Sequence, residues 1–371
     1  TTPLDAWNSS GAAGLRRRVA LLGAALLAAC PLPIFVSMQL LSDVPALVWT
    51  TGALLCAWRA RTRVAWAWVA GGVFAVAVLI RPTNALALVP LAIVLGKNWG
   101  RWRRTGLAGL PFAIALGLYN RAAYGHPLRF GYGAIGEAFG LEYLGVTLVH
   151  YLTWLPVLLA GVGVLAPAIL WVRGVKWTWR AALVAWVVVL TGFYAVYPFT
   201  FQDWWGLRFV LPAFPAMIVA ALLVGQSWLG RWRETTQRVV LAGTAVWCVA
   251  WGAVWSSSLR SLRTGSDERM YVNATDWVRA ELPEGAVIFG GQMSGSLHYY
   301  TKFVTVNWGF ATPEDSAKIV RGARADGRAV YAMLFPFEEA MLQERPMPGA
   351  WQPAGRLKHI TLWKLADAAG R

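Results

Sequence analysis

VAWAWVAGGVFAVAVLIRPTNALALVPLAIVLG, residues 64–96, contains 33 residues and a single charge, Arg81, followed at once by Pro82. Read as one membrane span, it would carry the basic cluster Lys97/Arg101/Arg103/Arg104 to the side opposite Arg59/Arg61/Arg63. Read as a hairpin of two short helices with Arg81-Pro82 at the tip, it keeps both clusters on one side. The hairpin is the preferred reading, because short loops rich in Lys and Arg stay cytoplasmic. Its arms of 17 and 15 residues span only about 25 Å and 22 Å as helices. They bring the tip to the outer interface or slightly below it.

The rest of the chain agrees with a membrane setting. Of 371 residues, 57% are hydrophobic and 14% charged, and the mean hydropathy is +0.48; a soluble domain carries about 25% charged residues. Apolar runs at residues 19–41, 44–58, 105–119, 151–172, 181–198, 210–229 and 239–255 join the two hairpin arms to make nine expected spans. Of the 20 basic residues before residue 258, 16 lie in five clusters on the inner side. Only Arg81, Arg121, Arg129 and Arg208 face outward.

The net charge of +16 therefore reports topology, and nucleic-acid binding is set aside. Many of the 23 tryptophans flank basic clusters, Trp58, Trp99, Trp102, Trp171, Trp177, Trp179 and Trp232 among them, and read as interfacial anchors. Cys30, Cys56 and Cys248 lie in apolar runs, with no CxxC or zinc spacing.

The expected architecture is an all-α polytopic membrane domain at residues 19–257 followed by a small α/β extracytoplasmic domain at residues 258–371. Residues 1–18 are expected to be an irregular start and a truncation remnant. In the tail, helices are expected at 270–282, 313–326 (capped by Thr312, with Pro313 in the first position) and 337–343. Strands are expected at 286–289, 329–335 and twice within 355–365. The tail has no GxGxxG, P-loop or nucleophile elbow and is expected to carry no catalytic group.

Ionisable groups at the membrane edge are costly and therefore candidates for function. The outer face offers Asp43, Glu137, Glu142 and Asp203 as carboxylates, with His126 and His150. Asp43 is read either as a base or, with Ser42, as a helix cap. Arg81 suits a lipid phosphate, or snorkels to headgroups. A cation at a hairpin tip needs only charge, so Lys is expected to replace Arg81 more readily than Arg208.

The segment FTFQDWWGLRF, residues 199–209, packs Gln202, Asp203, Trp204, Trp205 and Arg208 into one expected outer loop. Aromatic faces beside hydrogen-bonding groups suit a sugar ring, and a guanidinium fork suits a phosphate. The competing reading is an interfacial belt with an Asp203–Arg208 ion pair.

The order SDVPA (42–46), AGGVFAVAVLIRPTNALALVP (70–90), YNRAAYGHPLRFGY (119–132) and DWWGLRFVLPAFP (203–215) resembles the GT-C class of membrane glycosyltransferases. More closely, it resembles bacterial relatives of the dolichyl-phosphate-mannose protein mannosyltransferases. The resemblance covers residues 19–257 and, loosely, the tail.

It implies an inner-membrane enzyme that moves a sugar from a polyprenyl-phosphate carrier to an acceptor on the outer face. By the resemblance, Asp43 matches the acidic position after the third family span, and Arg81 the basic position that ends the GLAxLTR/K-like segment. Catalysis then falls to Asp43 and Asp203, and substrate binding to Arg81, Gln202, Trp204, Trp205 and Arg208. The family's principal acidic residues lie in a first outer loop, upstream of anything in this sequence, so the chain is expected to lack the N-terminal hairpin. The expected partners are membrane lipid and the lipid-linked sugar; no metal-ligand set is legible, and a divalent metal stays open. The rival classes are a non-catalytic membrane scaffold and a transporter or flippase of lipid-linked substrates. A transporter predicts charges inside spans and internal repeats, and neither is seen.

Overall fold

The computed structural model describes residues 10–39, 41–130, 138–341 and 347–366. The chain divides into two compact units, Thr1–Thr264 and Gly265–Arg371, and each is described by itself.

In the first unit, α1 (Ser10–Ala29) and α2 (Pro31–Met38) form a pair bent by 51°. Pro31 explains the bend: it lacks an N–H and forces Cys30 into an extended conformation with ψ 129°. The irregular start expected over residues 1–18 is corrected from Ser10 onward. Ala, Leu and Arg are strong helix formers, so residues 10–18 join the first helix. Residues 1–9, with Asp5, lie outside the described set.

α3 (Asp43–Arg59) and α4 (Trp66–Ile80) follow, then a 3₁₀ turn at Pro82–Ala87, α5 (Leu88–Leu95) and α6 (Trp99–Tyr124). Residues 64–96, expected as a hairpin, form two helical pieces, Trp66–Ile80 and Pro82–Leu95, with Arg81 between them. The second piece opens as 3₁₀ with Pro82 in the first turn, where the missing N–H costs no helical hydrogen bond. Gly71 lets α4 and α6 meet: a Cβ there would lie 2.1 Å from the Thr105 carbonyl oxygen. Thr105 in turn donates its hydroxyl to the Ala67 carbonyl at 3.1 Å. Small residues at such crossings are the usual means of close helix packing in lipid. α6 ends at Gly125, which adopts φ 77°.

α7 (Leu144–Leu158), α8 (Trp177–Tyr194), α9 (Phe214–Leu229) and α10 (Glu234–Ser258) complete the unit. The single span expected at residues 151–172 is broken. α7 ends at Leu158, Ala160 and Gly161 take positive φ, and Val162–Trp171 continues as a 3₁₀ helix. Pro156 and Pro167 lie in the two pieces. The indole N–H groups of Trp251 and Trp247 donate to the Val157 and Ala160 carbonyls at 2.7 and 3.0 Å, satisfying acceptors that the break exposes.

A second correction concerns residues 204–209, expected as loop: Trp204–Ala213 is 3₁₀ helix running straight into α9. Among the described residues, four helical stretches are long and apolar enough to cross a membrane singly: Leu141–Leu158, Trp177–Tyr194, Trp204–Leu229 and Glu234–Ser258. The α1–α2 pair adds a fifth, taken as one bent span.

In the second unit, α11 (Arg269–Glu281), β1 (Val287–Phe289), α12 (Ser294–Tyr300), β2 (Val304–Val306), α13 (Pro313–Ala325), β3 (Val330–Leu334), α14 (Pro336–Met341), β4 (Trp351–Leu357) and β5 (Ile360–Leu365) build one five-stranded sheet of order β2-β1-β3-β5-β4. The first three strands are parallel, and β5 pairs antiparallel with β3 and β4. Helices cover both faces: Ala274, Val278 and Leu297 pack on one, Val320 and Ala323 on the other. That is why β3, VYAML, is buried along its whole length. Thr312 and Asp315 form a complete capping box at α13. α12 and β2 carry no strong periodic signal and are absent from the sequence expectations; residues 342–343 of the expected helix 337–343 lie outside the described set.

Candidate functional site

Asp43 occupies the first turn of α3, and Arg81 terminates α4. Thirty-eight residues apart, they form an ion pair between Arg81 Nη1 and Asp43 Oδ1, with side chains only 13% and 6% exposed. The expected cap role of Ser42 and Asp43 is not realised, since neither side chain bonds the backbone at that helix start. Nor does Arg81 snorkel. Its guanidinium lies 5.8 Å from the Tyr194 ring centroid and 5.1 Å from that of Phe209, an arrangement in which aromatic faces favour a desolvated cation.

The backbone around Arg81 is held by its neighbours. Asn84 donates its amide to the Ala77 carbonyl at 2.8 Å, and the Tyr194 hydroxyl donates to Thr83 Oγ1 at 2.7 Å. The Tyr194 and Phe209 rings stack at 5.4 Å, with Tyr197 edge-on to Phe209 at 5.1 Å. The premise that Arg81 needs only charge, on which Lys is expected to replace Arg81 more readily than Arg208, meets a cation that is nearly buried, paired and set over two rings.

Arg208 lies beside this pair, within electrostatic reach of both Asp43 and Arg81. It sits 5.2 Å from the Trp205 ring centroid and 5.1 Å from that of Phe209. Among the described residues it makes no ion pair, so the expected Asp203–Arg208 bridge is not formed, and its Nε is buried without a hydrogen-bond partner. Asp43 and Arg81 neutralise each other, which leaves the cluster with one uncommitted positive charge, that of Arg208.

The remaining expected residues fall into a second group. Asp203 caps the 204–213 helix: its Oδ1 accepts from the Trp204 N–H at 2.6 Å and its Oδ2 from the Trp205 indole at 3.1 Å. Its carbonyl meets His150 Nε2 at 3.1 Å. Trp204 is 7% exposed and packs edge-on against Phe35 at 4.9 Å, so it belongs to the core and offers no face to a sugar. Trp205 and Phe209 are partly exposed, and Gln202 is exposed.

This turn is possible only because residue 206 is Gly. A Cβ there would lie 2.6 Å and 2.7 Å from the Phe199 and Thr200 carbonyl oxygens. Glu142 lies in the 3₁₀ turn Leu141–Tyr143, and Glu137 lies outside the described residues. No group of three or more potential metal ligands occurs among the described residues.

Sequence reasoning overlooked Tyr194, Tyr197, Thr83 and Asn84. A search for ionisable residues passes over aromatic rings at the end of an apolar run, and the signal that marks the two tyrosines is the aromatic density of YAVYPF, residues 194–199, three residues ahead of the Asp-Trp-Trp segment.

No protein-family profile matches the chain, and no curated protein sequence does. Among solved structures, the crystal structure of ArnT from Cupriavidus metallidurans bound to undecaprenyl phosphate is similar at a TM-score of 0.50 and 12% identity. The match covers 94% of this chain and 83% of the ArnT chain. At that identity the likeness is one of fold, and it spans both units described above. The chain therefore shares the fold of ArnT.

Proposed function

We propose that the protein is an integral membrane glycosyltransferase that moves a sugar from a polyprenyl-phosphate donor to an acceptor hydroxyl at the outer face of the cytoplasmic membrane. One observation carries this reading. A single unpaired guanidinium, Arg208, stands beside the neutralised Asp43–Arg81 pair, in a fold whose ArnT neighbour was crystallised with undecaprenyl phosphate. The nine-span topology with an extracytoplasmic tail belongs to the same reading. It rests on the one-sided basic clusters of the sequence.

The chemistry follows from charge. The acceptor oxygen bonds to the sugar's anomeric carbon as the bond from that carbon to the phosphate oxygen breaks, and polyprenyl phosphate leaves with the bonding electrons. The phosphate passes from one negative charge toward two, so a cation fixed beside it stabilises the transition state more than the bound donor. Arg208 supplies that cation, pre-oriented between two rings. Asp43 Oδ1 is committed to Arg81; its second oxygen, Oδ2, is placed in the role of accepting the acceptor's proton. Trp205 offers the remaining aromatic face for the sugar.

The test uses the full chain in detergent micelles with undecaprenyl phosphate as probe, followed by transfer from a radiolabelled polyprenyl-phosphate sugar. Arg208→Gln is expected to weaken lipid-phosphate binding by about 1.5–3 kcal/mol, the worth of a charge-assisted contact. Binding unaffected by Arg208→Gln would overturn the reading.

A further inference from the structure

The outer-face carboxylate Asp203 reads from the sequence as a candidate base, yet its two oxygens are already engaged. One holds the first N–H of the 204–213 helix and the other holds the Trp205 indole. The ring so fixed lies against the Arg208 guanidinium at 5.2 Å, and Phe209 lies against it at 5.1 Å. His150 steadies the same corner through the Asp203 carbonyl. A guanidinium held over an aromatic face at this distance is drawn to the ring, so the position of the Trp205 indole bears on where the Arg208 fork points.

We propose that Asp203 is a positioning residue, which orients the Arg208 fork toward an anionic phosphate by fixing the Trp205 ring. The proposal rests on the reading of Arg208 as the donor-phosphate ligand. It explains why an exposed acid stands five residues before the arginine without pairing to it. Direct pairing would neutralise Arg208, which makes no ion pair among the described residues, whereas acting through the indole leaves that charge available.

The experiment compares wild type, Asp203→Asn, Trp205→Phe and their double variant as full chains, with undecaprenyl phosphate as probe. Asn keeps one acceptor oxygen for the Trp204 N–H and gives up the indole contact. Phe keeps the ring and gives up the same contact from the other side. Each single variant is expected to raise the Kd by about tenfold, and the double variant no further, because both remove one link. In the transfer assay the donor KM rises while kcat stays within about threefold of wild type, a split that a loss of general base does not produce. Trp205→Phe leaves the melting temperature unchanged, which separates the effect from loss of fold.

Lost kcat with wild-type binding in Asp203→Asn would make Asp203 the base and overturn the proposal. Additive effects of the two substitutions would also overturn it. Binding that Arg208→Gln abolishes and Trp205→Phe preserves overturns the positioning role alone. Binding that Arg208→Gln leaves intact overturns the functional reading beneath it.

Discussion

Breaking the Asp43–Arg81 pair from either side leaves a charge stranded in a site where both side chains are nearly buried, at 6% and 13% exposure. Two unit charges about 4 Å apart attract by about 4 kcal/mol at an effective dielectric constant near 20. Removing one partner of a buried pair costs about 3–5 kcal/mol, because the survivor has lost both water and its counter-ion. Here each survivor keeps some compensation. Arg81 retains the faces of Tyr194 and Phe209, worth about 0.5–2 kcal/mol, and Asp43 retains the N-terminal end of the helix Asp43–Arg59, worth about 0.3–1 kcal/mol.

Asp43→Asn and Arg81→Met are therefore each expected to destabilise the protein by about 3 kcal/mol, the lower part of that range. The double variant leaves no stranded charge, so it is expected to fall short of the sum of the singles by about 2–3 kcal/mol. Reversible unfolding of the full chain in mixed micelles measures all four corners of the cycle. Repeating it at high salt should change little, since a buried pair is weakly screened. A coupling energy below about 0.5 kcal/mol would refute the buried-pair reasoning and return Arg81 to a headgroup anchor. In the transfer assay Asp43→Asn should retain donor binding, because it removes a negative charge near the phosphate, and lose turnover.

Arg81→Lys should cost about 1–2 kcal/mol in the same unfolding assay, since a more strongly hydrated ammonium gives up the guanidinium's place over the Phe209 and Tyr194 rings; a melting curve matching wild type would contradict this. Gly206→Ala should weaken undecaprenyl-phosphate binding as strongly as Arg208→Gln, because a Cβ 2.6 Å from the Phe199 carbonyl oxygen must shift the turn that carries Arg208; unchanged binding would separate the turn from the site. With Cys30, Cys56 and Cys248 replaced, an impermeant thiol reagent applied to intact cells should label Ser266→Cys and spare Thr235→Cys, and the opposite pattern would invert the proposed orientation. Burial, together with nearby Glu268 and Glu338, pushes the Tyr271 phenol above its ordinary value despite the amide donated by Gln292. The unfolded phenol then ionises first, so this stabilising contribution is present below about pH 10 and is lost as pH rises through the folded value. Tyr271→Phe should flatten that alkaline loss in a pH series of melts.

Much of the membrane unit was legible in the chain because its signals are local. Apolar runs, a proline after a lone arginine, and clusters of basic residues between runs depend only on neighbouring residues. The Thr312–Asp315 capping box was equally readable, since its partners lie three residues apart. Arg81, Asp43, Arg208 and Trp205 stood out for a related reason: charge and aromatic density near a span end are conspicuous against an apolar background.

Tertiary structure decided what those residues do. Whether Arg81 reaches headgroups or pairs with Asp43 depends on helix packing between positions 38 residues apart, and no short-range pattern encodes it. Burial turned Trp204 into core against Phe35 while Trp205, one residue on, met Arg208, because successive residues on a 3₁₀ turn point about a third of a revolution apart. The Asp203 carboxylate, readable as a base or an ion-pair partner, became a cap and an indole anchor once the 199–200 backbone folded over Gly206. The helix break after Leu158 was likewise hidden, because an apolar run looks the same whether its carbonyls are satisfied within the helix or by the indoles of Trp247 and Trp251 from another helix.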